Sequence, residues 1–196
     1  MVTIEKFVVT AAHCSKVPST DKTVIDLHPK IVRLGSTRIL DGQKAFDVKI
    51  LKFISHGRYK PPRQYYDIAL IELEDKVSTR ELSPVLQKAE ITILDYDECN
   101  ETLKMKHYRN WGGFFRHQLC AGEKAGGIDT CQIPLYRSPI EPYWYQYHII
   151  GITSFGFGCA KPNTPSIYTR VASFLGWIEN IVWKNSTAID DRFNVI

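Results

Sequence analysis

Long hydrophobic runs are missing from this 196-residue sequence: none approaches the roughly 18 to 20 unbroken apolar residues that a membrane-spanning helix needs. A membrane role is therefore not expected. A strong excess of one charge sign is missing too, with 25 Lys and Arg against 21 Asp and Glu. The one concentrated basic stretch, KMKHYR at 104–109, reads as a solvated face. No helix-turn-helix, zinc-finger or stacking-sheet signature accompanies it, so nucleic acid is not an expected partner. The five cysteines, Cys14, Cys99, Cys120, Cys131 and Cys159, include no C-x-x-C pair, which leaves a structural zinc site little to build on. GSTRILDGQKAF at 35–46 lacks a cluster of carboxylates at calcium-ligand spacing. Neither a metal nor an organic cofactor is expected. At the N-terminus, MVTIEKFVVTAAHC places Glu5 ahead of a short apolar run with no basic segment before it, so it is not read as a signal peptide.

Helical periodicity is also absent from most of the chain. Short runs rich in Val, Ile, Phe and Tyr alternate with Gly, Pro, Asp and Asn turns: KFVVTAA, KIVRLGS, FDVKILKFI, DIALIEL, QKAEITIL, HIIGITSF and SIYTRV. The pattern indicates an all-β sandwich or barrel, because no helical stretch of adequate length separates the strands as a parallel α/β sheet would require. Two helices are expected. SFLGWIENIVWKN repeats Phe174, Trp177, Ile178, Ile181 and Val182 at three- and four-residue steps, with Ser173 placed as N-cap. DYDECNETLK is a shorter one, with Asp95 or Asp97 as its cap. The polar tail 185–196 is expected to be loose. Cysteines without metal spacing, together with Asn-x-Ser/Thr triplets at Asn100 and Asn185, fit a secreted, disulfide-bonded protein. An odd cysteine count leaves one thiol unpaired.

Two residues stand out chemically. VVTAAHC puts His13 at the end of a β-branched run, and YYDIALIEL puts Asp67 at the mouth of another. A carboxylate in so apolar a setting needs a partner. His13 suits it, since an Asp that accepts the Nδ1 proton fixes the tautomer and leaves Nε2 free to take a proton from a nucleophile.

TAAHC, then DIAL, then CAG with DTCQ, then SFGFGC and PSIYTRV, in this order, resemble the trypsin-like, chymotrypsin-fold serine proteases, and among them the clip-type members of insects. The resemblance covers Lys6 to about Trp183. It implies two six-stranded antiparallel barrels with the active site in the crevice between them, the first barrel at about 1–82, the second at about 86–172, and a C-terminal helix at about 173–184. It maps the general base onto His13 and the orienting acid onto Asp67, and pairs Cys99 with Cys120 and Cys131 with Cys159. Cys14 is left unpaired, its family partner lying upstream of residue 1. Asp129 takes the place of the carboxylate on the specificity-pocket floor, which implies cleavage after Arg or Lys. Ser154, Phe155 and Gly156 match the segment that pairs with substrate backbone, Phe155 standing where Trp is usual, and Ser166 replaces a glycine of the pocket wall. An extracellular monomer is implied, acting on a protein substrate or partner that presents a basic residue.

The resemblance breaks at its centre. Where the family continues DTCQ with Gly-Asp-Ser-Gly-Gly before proline, this chain has Ile133 alone between Gln132 and Pro134. The nucleophile, the oxyanion-hole amides and the acid that receives a freed N-terminus all fall in that gap. Replacing five residues by one removes roughly 14 Å of chain contour, which leaves no length to rebuild the turn. Ser138 is no substitute: it lacks flanking glycines and precedes Pro139. A second gap lies between Pro84 and Leu86, where Val85 stands for several tens of residues of the second barrel, including a cysteine for an interdomain bridge. The chain also starts just before TAAHC, short of the family's activation cleavage site. The expectation is a peptidase domain inactive as written. Three accounts stay open: a defective copy of an endopeptidase from skipped or missing coding segments, a non-catalytic homologue that binds a partner through the substrate groove, or a chain that does not fold productively.

Overall fold

The computed structural model describes residues 3–4, 6–16, 26–34, 46–77, 91–126, 135–137, 148–158 and 161–183. The joint at Pro84–Leu86, the segment Asp129–Pro134, Cys159 and the tail from 184 lie outside these residues.

Within them the chain forms two antiparallel sheets and few helices. The first sheet contains β1 (Thr3–Ile4), β2 (Phe7–Thr10), β3 (Ile31–Leu34), β4 (Phe46–Ser55) and β5 (Ala69–Leu73), in the order β1-β2-β5-β4-β3. Its central strand is β5, ALIEL, in which four of the five residues are buried. A strand covered on both faces needs such a run rather than strict alternation. Val8, Val32, Val48, Ile71, Leu73 and Val77 form the core of this half. On β4 the register to β5 passes over Leu51, a bulge that turns this side chain to solvent, 59% exposed.

The second sheet contains β6 (Ile93–Leu94), β7 (Gln118–Ala121), β8 (Leu135–Arg137), β9 (His148–Phe155) and β10 (Ser166–Arg170), in the order β6-β7-β10-β9-β8. Helix α1 (Tyr96–Leu103) precedes β7 and buries Cys99 and Leu103, one turn apart on one face. Of the two candidate caps it uses Asp95, whose Oδ1 accepts the Glu98 N–H at 2.8 Å. Cys99 forms a disulfide with Cys120 of β7, closing a loop of 21 residues, a constraint on the unfolded chain of about 3 kcal/mol. Around it pack Leu94, Leu103, Trp111, Phe114 and Ile167.

The C-terminal helix, α2, is shorter than its periodicity implies. A 3-10 turn at Val171–Phe174 comes first, α2 runs Leu175–Val182, and Phe174 occupies the N-cap without a side-chain bond. Ser173 is thus not the cap. Phe174 is buried instead, and its ring fixes the entry to the helix by packing between the two sheets, together with Ala11, Ile68, Ile152 and Val171. No described helix is long and apolar enough to cross a membrane.

Candidate active site

His13 lies in a 3-10 turn, Ala12–Ser15, that follows β2 directly, and Asp67 sits two residues before β5. Because β2 and β5 are hydrogen-bonded neighbours, with Thr10 opposite Ala69, both side chains emerge at the same end of the first sheet. His13 meets the carboxylate twice: its backbone N–H donates to Oδ1 at 2.9 Å and its Nδ1–H donates to Oδ2 at 2.7 Å. A carboxylate only accepts, so this geometry fixes the Nδ1–H tautomer and leaves Nε2 outward.

Asp67 is 3% exposed, and the second sheet supplies its remaining partner. Ser154 Oγ donates to Oδ2 at 2.5 Å, and Thr169 Oγ1 donates to the Asp67 carbonyl at 2.9 Å. The position of Ser154 follows from the sheet register. On β9, Phe155 pairs with Ile167 and Thr153 with Tyr168, so the ladder passes over Ser154, and such a bulge redirects a side chain. Here it points across the interface at Asp67. Three donors on one buried carboxylate satisfy a charge that would otherwise be costly to remove from water.

The imidazole remains 47% exposed. Asp67 beside it, with a smaller contribution from Cys14, raises the His13 pKa from 6.5 to about 10. The shift favours the charged ring, held by its pairing with Asp67. Cys14, exposed and free, has its thiol pKa pushed down, mainly by its hydrogen bond to His13. Tyr59 is pushed up to about 12 by burial and by the nearby charge of Asp67.

The other expected site residues separate into two groups. Ser154, Phe155, Gly156 and Ser166 come together where β9 meets β10. Ser166 is 2% exposed, and its Oγ lies 3.0 Å from where a Cβ on Gly156 would stand. Phe155 packs edge-on against Trp111 at 5.6 Å and Phe157 at 5.8 Å. Asp129, Cys131, Gln132, Pro134 and Cys159 form the second group, outside the described residues. Sequence reasoning missed Thr169, Tyr59 and the side-chain bond of Ser154, since nothing in the strand pattern signals a bulge.

The family model described as Trypsin matches residues 1–83 and 76–178. Serine protease Hayan of Drosophila melanogaster is 32% identical over 223 aligned residues, covering 92% of this chain and 34% of that protein. Serine protease snk of the same fly is 31% identical over 216, covering 92% and 48%. Trypsin 5G1 of Aedes aegypti is 28% identical over 210, covering 90% and 72%. The chain spans a third to a half of the length of the two fly proteins. Two sheets meeting at a His–Asp pair, matched over most of the sequence by one family, place this chain in the trypsin family of serine proteases.

Proposed function

We propose that this is a trypsin-like endopeptidase domain, built to act after Arg or Lys of a protein substrate outside the cell, whose present sequence hydrolyses no peptide bond. One observation carries the reading: Ile133 stands alone between Gln132 and Pro134, while His13 and Asp67 remain hydrogen-bonded as base and orienting acid. The apparatus for activating a serine is assembled, and no serine in a glycine-flanked turn is there to be activated. Asp129, which the family resemblance maps onto the pocket-floor carboxylate, supports the basic-residue preference.

The loss of whole blocks of sequence favours missing coding segments over a trimmed homologue. A match over 223 positions exceeds the 196 residues of the chain, so Hayan has stretches with no counterpart here. Losing strands from a sheet exposes unpaired backbone groups, whereas losing only the nucleophile would keep the scaffold intact.

A fluorophosphonate probe applied to the purified chain tests the absence of activity. No covalent labelling is expected, and labelling that competes with a peptide ending in arginine overturns the reading. Sequencing the transcript across the codons for Gln132–Pro134 and Pro84–Leu86 tests its origin. Recovery of Gly-Asp-Ser-Gly-Gly supports an active protease at the locus; a message with the gap, yielding a folded secreted protein with two intact disulfides, supports a non-catalytic homologue that binds a partner.

A further inference from the structure

The residue before Asp67 has a backbone conformation that its side chain disfavours. Tyr66 has φ 59°, in the left-handed region where a Cβ is crowded. Its carbonyl accepts the Ile68 N–H at 2.8 Å, a three-residue turn with Asp67 at its apex. The direction of the Asp67 side chain is thereby coupled to the rotation of Tyr66.

His117 holds that rotation. The Tyr66 N–H donates to His117 Nε2 at 3.3 Å, and the two rings stack with centroids 4.1 Å apart and planes 20° from parallel. His117 is itself anchored, because its carbonyl accepts the Arg170 N–H at 2.9 Å at the end of β10. We infer that His117 is a positioning residue: as a neutral acceptor it locks Tyr66 in the left-handed conformation and so aims the Asp67 carboxylate at His13.

The accepting nitrogen must carry no proton, since a protonated Nε2 would oppose one N–H with another. The groups around it favour that state. His56 and Arg58 face it from the end of β4 and the loop beyond, Tyr65 and Tyr66 from the loop before β5, and Asp67 is one residue further. His56 also stacks on Tyr66 at 5.5 Å, the Arg58 guanidinium lies 4.9 Å from the centre of the Tyr66 ring, and Phe174 meets the edges of His56, Tyr66 and His117. Burial first, then His56 and Arg58, lower the His117 pKa to about 4. The lock is closed at neutral pH and opens in acid.

This inference rests on His13 and Asp67 being the functional pair, yet its test needs no peptidase activity. Proton and nitrogen NMR of the isotope-labelled full chain follows the His13 Nδ1 proton and the His13 titration in the unsubstituted protein, H117Q and H117F. Glutamine presents an acceptor near the place of Nε2 without titrating; phenylalanine keeps the ring and removes the acceptor. In H117F the His13 midpoint should fall from about 10 by about one pH unit or more. H117Q should stay near the unsubstituted value and keep the Nδ1 proton to lower pH than the unsubstituted protein does. Equal acid midpoints for the unsubstituted chain and H117Q overturn the inference, whether or not H117F folds. So does a folded H117F with an unchanged His13 midpoint. An unsubstituted chain with an ordinary His13 midpoint overturns the pair and the lock together, while probe labelling decides the activity reading separately.

Discussion

Asp67→Asn removes the charge that organises the candidate site while changing almost no volume. Three donors converge on the carboxylate, from the His13 backbone, His13 Nδ1 and Ser154 Oγ. An amide offers one acceptor oxygen and an NH2 that is itself a donor. The imidazolium loses its partner, and its midpoint should drop from about 10 to the ordinary value near 6.5 or below. In a dry site a gap of that size corresponds to ~5 kcal/mol. The ring is 47% exposed, and solvent screening reduces this to about 2–3 kcal/mol. Because the folded-state pKa is raised, the stabilisation is fully present below about pH 6.5 and is lost as pH rises through about 10. D67N should therefore cost about 2–3 kcal/mol more at about pH 6 than at about pH 10.5, where the charge on the ring is gone and the bonds from Ser154, the His13 backbone and the neutral Nδ1–H remain to be lost. Denaturant unfolding at the two pH values, with an NMR titration of the His13 ring, gives both numbers. A His13 midpoint within about half a pH unit of the unsubstituted value, or a pH-independent cost, would refute the reasoning.

Ser154→Ala should destabilise the fold by about 1.5–2 kcal/mol, the worth of a hydrogen bond to a buried charge, and leave the His13 midpoint raised, since the Asp67 carboxylate keeps its charge; thermal unfolding with the same titration checks both, and an unchanged stability or a His13 midpoint as low as in D67N would refute it. Cys14 should react with iodoacetamide at a lower midpoint than an ordinary thiol, because His13 lowers its pKa. His13→Gln should return that midpoint to the ordinary value, and an identical rate profile in both proteins would remove the coupling.

The strands that the sequence makes legible are those with β-branched density. Phe7–Thr10, Ala69–Leu73 and His148–Phe155 each fall inside an expected run, and Phe46–Ser55 exceeds its run by one residue. Thr3–Ile4, Gln118–Ala121 and Leu135–Arg137 do not, because two to four residues carry too little periodicity, and Gln118 breaks the apolar pattern although it is itself buried. Its amide finds partners in the Gln64 carbonyl and the Phe115 N–H, which no single-sequence rule foresees. Ser173 carries a cap signal that tertiary packing overrides: burying Phe174 between the sheets outweighs one side-chain bond. The family's motifs point to His13 and Asp67, and the fold brings them together. Tyr66 and His117 are separated by 51 residues, and neither belongs to a motif.

The partners of Asp67 are also spread far along the chain. His13 lies 54 residues before it, Ser154 follows it by 87, and the Thr169 hydroxyl by 102. Contacts of such separation pay their loop-closure entropy before they return anything. During synthesis the first sheet emerges with a carboxylate that only His13 can satisfy, and the remaining donors arrive with the final strands. The carboxylate thus acts as a test of completeness: a chain that stops early, or that fails to dock its second half, leaves Asp67 without its Ser154 donor and without the cover of the second sheet, and stays open to proteolysis.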